Sequence, residues 1–94
     1  MAMAFELKFA GGTTDQYDQV IEKMGFSKEG AGAPGGLFHW VAATDEGLLI
    51  VDVWDSKERF DRFAQEQIGP YTQEVGLPAP EIRGYPVHNY LTKA

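Results

Sequence analysis

The chain has 94 residues, no cysteine, eight Lys and Arg against fourteen Asp and Glu, and a net charge of −6 at neutral pH. That length supports one domain, residues 1–94, with a modest core to which a subunit interface can add burial. The scattered basic residues give no footprint for nucleic acid or an anionic membrane surface, and the lack of cysteine removes disulfides and thiolate nucleophiles and suits the reducing cytoplasm.

The opening MAMAFELKFA has a single basic residue and runs directly into an alternating pattern, unlike a signal peptide, and no apolar run approaches the ~20 residues of a membrane span. Within it Phe5, Leu7 and Phe9 alternate with Glu6 and Lys8, the period of a strand with one buried face. TTDQYDQVIEKMG then sets Tyr17, Val20, Ile21 and Met24 at helical spacing, with Thr13 and Gln16 as a capping box and Gly25 as a stop. FSKEGAGAPGG follows, too rich in glycine for regular structure, and reads as a mobile rim or lid. Its glycines do not lie between a strand and a helix, so no phosphate cradle is expected.

GLFHWVAATDEGLLIVDVWD reads as a β-hairpin turning through TDEG. Pairing Thr44 with Gly47 sets Ala42 opposite Leu49, Trp40 opposite Val51 and His39 opposite Asp52. Phe38, Trp40, Leu49, Val51 and Val53 then share a wholly apolar face, which is expected to lie under the helices with Trp40 in the core. Leu37, His39, Val41, Ile50, Asp52 and Trp54 share the other face, and Glu6 and Lys8 of the first strand are expected to join them. DSKERFDRFAQEQIG starts a second helix, capped by Asp55 or Ser56, with Phe60, Phe63, Ala64 and Ile68 as its buried stripe. Gly69 and Pro70 are expected to break it, Pro70 opening a short further segment. After LPAP, EIRGYPVHNYL returns to an extended strand carrying Tyr85, His88 and Asn89, with Pro86 marking an edge, a bulge or a departure from the sheet.

The order β-α-β-β-α-β predicts a ferredoxin-like α+β fold, an antiparallel four-stranded sheet with both helices on one face. Aromatic residues on both faces predict that a second subunit covers the remaining one, making a homodimer. A polar side chain in a hairpin core needs a partner or a role. Asp52 opposite His39 can fix the imidazole tautomer for a general base, and the same pair can equally be a satisfied contact at an interface. Trp54, ending its strand before a helix, stands where pocket walls are common. His39, His88 and Asp52 have the composition of a zinc site but lack helical His-x-x-x-His spacing, so no metal is expected.

LFHWVA on the second strand, with VDVWDSKERFDRF placing Asp52 and Trp54 at the end of the third and Ser56, Glu58 and Phe60 at the following helix start, gives a resemblance over nearly the whole chain. The chain resembles the antibiotic biosynthesis monooxygenase-like proteins of the dimeric α/β-barrel superfamily. That resemblance implies oxygenation without a cofactor, in which an aromatic or polyketide-like small molecule loses a proton and the carbanion reduces dioxygen. Such chemistry needs a base, an apolar pocket and donors for the oxyanion. On this reading His39 supported by Asp52 is the base, His88 or Asn89 and Tyr85 are donors, and Trp54 with Phe38 or Phe63 forms the walls. Many such proteins carry a histidine on the second helix where this chain has Phe63 and Ala64, so haem ligation by that route is not expected. The same apparatus would serve a polyketide cyclase or isomerase, and the fold also houses dimeric ligand-binding or stress-related proteins without turnover.

Overall fold

A computed structural model describes residues 1–27 and 29–92, so Lys28 of the glycine-rich segment and the last two residues lie outside the described residues. The elements are β1 (Met3–Ala10), α1 (Thr14–Met24), β2 (Gly36–Thr44), β3 (Gly47–Trp54), α2 (Lys57–Phe63), a π-helical turn (Ala64–Ile68), α3 (Gly69–Glu74) and β4 (Glu81–Pro86). The strands form one antiparallel sheet in the order β2-β3-β1-β4, the ferredoxin-like α+β arrangement expected from the sequence. No helix among the described residues is long and apolar enough to cross a membrane.

Local chemistry explains most boundaries. The Thr13 hydroxyl accepts from the Gln16 amide while the Gln16 side chain accepts from the Thr13 amide, and Gly25 ends α1 in the left-handed region at φ 82°. Ser56, rather than Asp55, caps α2, its hydroxyl accepting from the Arg59 amide at 3.3 Å. The hairpin leaves its turn at Gly47, with φ 134°, where a Cβ would stand 2.2 Å from the Phe9 carbonyl oxygen. Only glycine permits this approach of β3 to the end of β1.

Gly69 and Pro70 do not break the second helix. Gly69 stays in the right-handed region, and its amide reaches back five residues to the Ala64 carbonyl. In a regular α-helix the Pro70 ring would meet the carbonyl four residues earlier; the wider π turn moves that carbonyl aside, and the helix continues into α3. The Thr72 hydroxyl donates to the Ile68 carbonyl at 2.6 Å, bonding to the backbone just before the proline.

The helices cover the opposite sheet face from the one expected. β1 pairs with β3 so that Phe5 meets Asp52, Leu7 meets Ile50 and Phe9 meets Leu48. These apolar residues and Trp54 pack with Val20, Phe60, Ile68 and Leu77 from the other layer and its connections. The mixed face carrying His39 and Asp52 is therefore the helix-covered one. Glu6 and Lys8 pair with Val51 and Leu49 on the other face, not with His39. Phe38 and Trp40 lie there too, 45% and 40% exposed, so Trp40 is not a core residue. The reason is a comparison of costs: covering the wholly apolar hairpin face would bury both Glu6 and Lys8, whereas covering the mixed face buries one carboxylate that has hydrogen-bond partners.

The two helix phenylalanines separate on the same grounds. Phe60 is 2% exposed and stacks on Phe5 with ring centroids 3.8 Å apart, whereas Phe63 is only half-buried. Phe60→Ala should cost about 3–5 kcal/mol and Phe63→Ala about 1–2 kcal/mol, by the large-to-small arithmetic scaled to burial. Denaturant melts of the two variants measure the difference, and equal losses would put both rings in the core.

Candidate functional site

The helix-covered face is not filled. Between α1, the hairpin and residues 29–35 lies an open cleft of about 1450 Å³. Tyr17 of α1, His39 of β2, Asp52 and Trp54 of β3, and Phe63 of α2 all line it. Residues 29–35 form one side and are pinned at their end, where the Asp55 amide donates to the Gly35 carbonyl at 2.9 Å. Gly35 has φ 90°, and a Cβ there would lie 2.4 Å from the Arg59 side chain.

Antiparallel register brings His39 opposite Asp52, as the TDEG turn predicts. His39 Nδ1 lies 2.5 Å from Asp52 Oδ1, and Trp54 Nε1 donates to Asp52 Oδ2 at 3.2 Å. A carboxylate only accepts, so in the neutral imidazole Nδ1 carries the proton and Nε2 keeps its lone pair. Nε2 accepts from the Tyr17 hydroxyl at 2.6 Å. The result is a continuous chain from the Trp54 indole through Asp52 and His39 to Tyr17, crossing from β3 to β2 to α1. Asp52 is 5% exposed, and both its oxygens are satisfied, which makes its burial tolerable. The histidine end is wetter, with its side chain 43% exposed.

One wall is aromatic. The Trp54 ring centroid is 5.1 Å from that of Phe63, and Phe26 stacks with Phe63 at a centroid distance of 6.3 Å. Phe38, although it belongs to the open face, also reaches the rim of the cleft from the edge strand.

Five of the residues singled out from sequence thus meet at one place: His39, Asp52, Trp54, Phe38 and Phe63. Tyr85, His88 and Asn89 do not line the cleft. Tyr85 pairs with Ala4 in the edge strand and is 49% exposed on the open face. His88 and Asn89 are exposed and follow Pro86, where the ladder ends, so the expectation of a strand carrying His88 is corrected. With His88 elsewhere, the zinc composition does not assemble, and among the described residues no group of three His, Cys, Asp or Glu side chains could hold a metal. Tyr17 was read only as part of the apolar stripe of its helix. The one available signal is that it carries the only hydroxyl in that stripe; its meeting with His39 follows only once the covered face of the sheet is known.

Burial, followed by the negative charges of Asp52 and Asp18, pushes the Tyr17 phenol up to about 12, against 10.0 for an ordinary tyrosine. It is therefore a neutral donor at neutral pH. Between the unfolded value of 10.0 and the folded value of about 12, the unfolded chain releases this proton while the folded chain retains it. The stabilisation is complete below the lower value and is lost as pH rises through the higher one. Tyr17→Phe should flatten that alkaline fall in denaturant midpoint and remove the latest-ionising tyrosine from an ultraviolet titration.

No protein-family model matches the chain, and no curated protein matches it by sequence. Solved structures do. A protein of Chloroflexus aurantiacus J-10-fl assigned as an antibiotic biosynthesis monooxygenase superposes with a TM-score of 0.60 at 21% identity, covering 99% of this chain and 100% of its own. SnoaB, a cofactor-independent oxygenase of Streptomyces nogalater, gives a TM-score of 0.60 at 17% identity over 98% of this chain and 97% of its own. The ActVA-Orf6 monooxygenase of Streptomyces coelicolor, in complex with nanaomycin D, gives 0.56 at 17% identity over 99% and 92%. Over its whole length the chain has the fold of the antibiotic biosynthesis monooxygenase-like proteins.

Proposed function

We propose that this protein is a cofactor-independent monooxygenase acting on an aromatic or polyketide-like small molecule. The observation that carries the reading is the Asp52–His39 pair with its Nε2 turned toward an aromatic-walled cleft. Asp52 holds the imidazole in the tautomer whose Nε2 is basic and balances the charge of the imidazolium once a proton arrives. The Trp54 indole fixes the second carboxylate oxygen and so the angle of the first. A phenolic substrate lying against Trp54 and Phe63 gives up its hydroxyl proton; the negative charge spreads to a ring carbon, and that carbon reduces dioxygen, the only oxidant required. SnoaB and the ActVA-Orf6 monooxygenase, as proteins of the same fold with those described activities, support this reading. The acidic, cysteine-free composition is compatible with a cytoplasmic setting.

The open sheet face is the proposed dimer interface. Phe38, Trp40, Leu49 and Val51 form an apolar patch flanked by Glu6 and Lys8, which a second copy of the sheet would cover to close a dimeric α/β barrel.

Naphthoresorcinol, a bicyclic aromatic diol, is a suitable probe. The protein should accelerate its oxygen uptake, and Asp52→Asn should reduce that acceleration by about 100-fold or more because the histidine loses its tautomer and counter-charge. Proton removal without oxygen uptake would favour the cyclase or isomerase reading instead. Sedimentation at micromolar concentration should give twice the 10.4 kDa chain mass for both the wild type and Asp52→Asn. A clean monomer would overturn the dimer.

A further inference from the structure

His39 Nε2 has one lone pair, and Tyr17 already occupies it. The hydroxyl stands 2.6 Å away with the two rings within 13° of parallel. Nδ1 is committed to Asp52, and the other Asp52 oxygen to Trp54. A substrate hydroxyl entering the cleft therefore finds the base covered. Tyr17 is also firmly held. Its helix begins at a reciprocal capping box, and the neighbouring Gln16 side chain donates to the Val75 carbonyl at 3.1 Å, tying the first turn to the end of α3.

The one hydrogen of the Tyr17 hydroxyl points to Nε2, which leaves its oxygen as an acceptor on the cleft side. We infer that Tyr17 is a catalytic residue that relays the proton of an aromatic hydroxyl in the cleft to His39. The inference rests on the proposed reaction and narrows its substrate to molecules whose ionising proton sits on oxygen. In the step, the substrate O–H bond breaks as a new O–H bond forms on Tyr17. The original Tyr17 O–H bond breaks at the same time, and its proton bonds to Nε2. The products are a substrate phenolate, a neutral Tyr17 and an imidazolium held by Asp52. No tyrosinate is formed, which suits a phenol that keeps its own proton up to about pH 12. The neutral phenol oxygen accepts readily from a hydroxyl in a hydrogen bond and poorly from a carbon acid, which is why the substrate class narrows.

The test follows exchange of the naphthoresorcinol ring hydrogens with deuterated water by proton NMR without dioxygen, since that exchange proceeds through the phenolate. Oxygen uptake is measured in parallel. Tyr17→Phe should lower the maximal exchange rate per folded molecule, counted from a denaturant melt, by about 100-fold with the half-saturating concentration unchanged, a split that a loss of substrate binding would not give. Tyr17→Gly should be equally slow and recover with added phenol but not with added toluene. An unchanged or faster Tyr17→Phe would overturn the relay, showing that the hydroxyl merely covers the base; so would a failure of phenol to restore Tyr17→Gly, or a wild type with no exchange above the buffer rate. Exchange that depends on Tyr17 without any oxygen uptake would sink the oxygenase reading and leave the relay standing. Oxygen uptake undiminished in Tyr17→Phe would do the reverse.

Discussion

A carboxylate in the middle of a small sheet, 5% exposed, has to be paired through both of its oxygens, and that requirement on Asp52 constrains everything near it. One oxygen takes the histidine directly across the hairpin, and the other takes the indole two residues along its own strand. A slip of one residue between β2 and β3 would carry His39 to the other face and leave the carboxylate without its histidine, a penalty of about 1–3 kcal/mol or more for an unsatisfied buried group. Trp54 is restricted in turn, since a phenylalanine there would fill the space against Phe60 and Phe63 but offer no N–H.

The same carboxylate explains why the exposed and buried faces are opposite to what hairpin hydrophobicity suggests. Counting apolar side chains on β2 and β3 alone favours burying Phe38, Trp40, Leu49, Val51 and Val53. The deciding strand is β1, which lies between β3 and β4 and must match both neighbours. Phe5, Leu7 and Phe9 are nearly inaccessible, and their register assigns Asp52, Ile50 and Leu48 to their side. The charged residues of that face outweigh one carboxylate on β3 because the single carboxylate is hydrogen-bonded, whereas Glu6 and Lys8 would enter the core together with their cross-strand neighbours Arg83 and Glu81, four charges in place of one.

That comparison marks the boundary of what was legible. The hairpin register, the capping box and the fold class depend on contacts between near neighbours or on simple periodicity, and each could be read from residues such as Thr13, Gln16, Thr44 and Gly47. Which face is covered depends on how β1 aligns with β3 across the 36 residues between Ala10 and Gly47, and local alternation does not carry that information. Tyr17 shows the same limit. Helical spacing says that it faces the sheet but not that it meets an imidazole. His88 fails for a different reason: alternation continues on paper past Pro86, but the ladder ends at the proline.

The inverted faces separate two roles that the sequence reading had merged. His39 and Trp40 are adjacent in β2 yet lie on opposite sides of the sheet, as do Asp52 and Val51 in β3. Every hydrogen bond from Trp54 through Asp52 and His39 to Tyr17 lies within one chain, on the helix side. The proposed interface lies on the other side and contributes none of these atoms. Sheet-on-sheet association can therefore stiffen the strands that hold the site, and the two surfaces are linked by the β2–β3 register and by Phe38, which lies on the open face and at the rim of the cleft. A change at Trp40 that weakens association while preserving the ladder leaves the Asp52–His39 pair in place. A change that shifts the ladder disturbs both surfaces together.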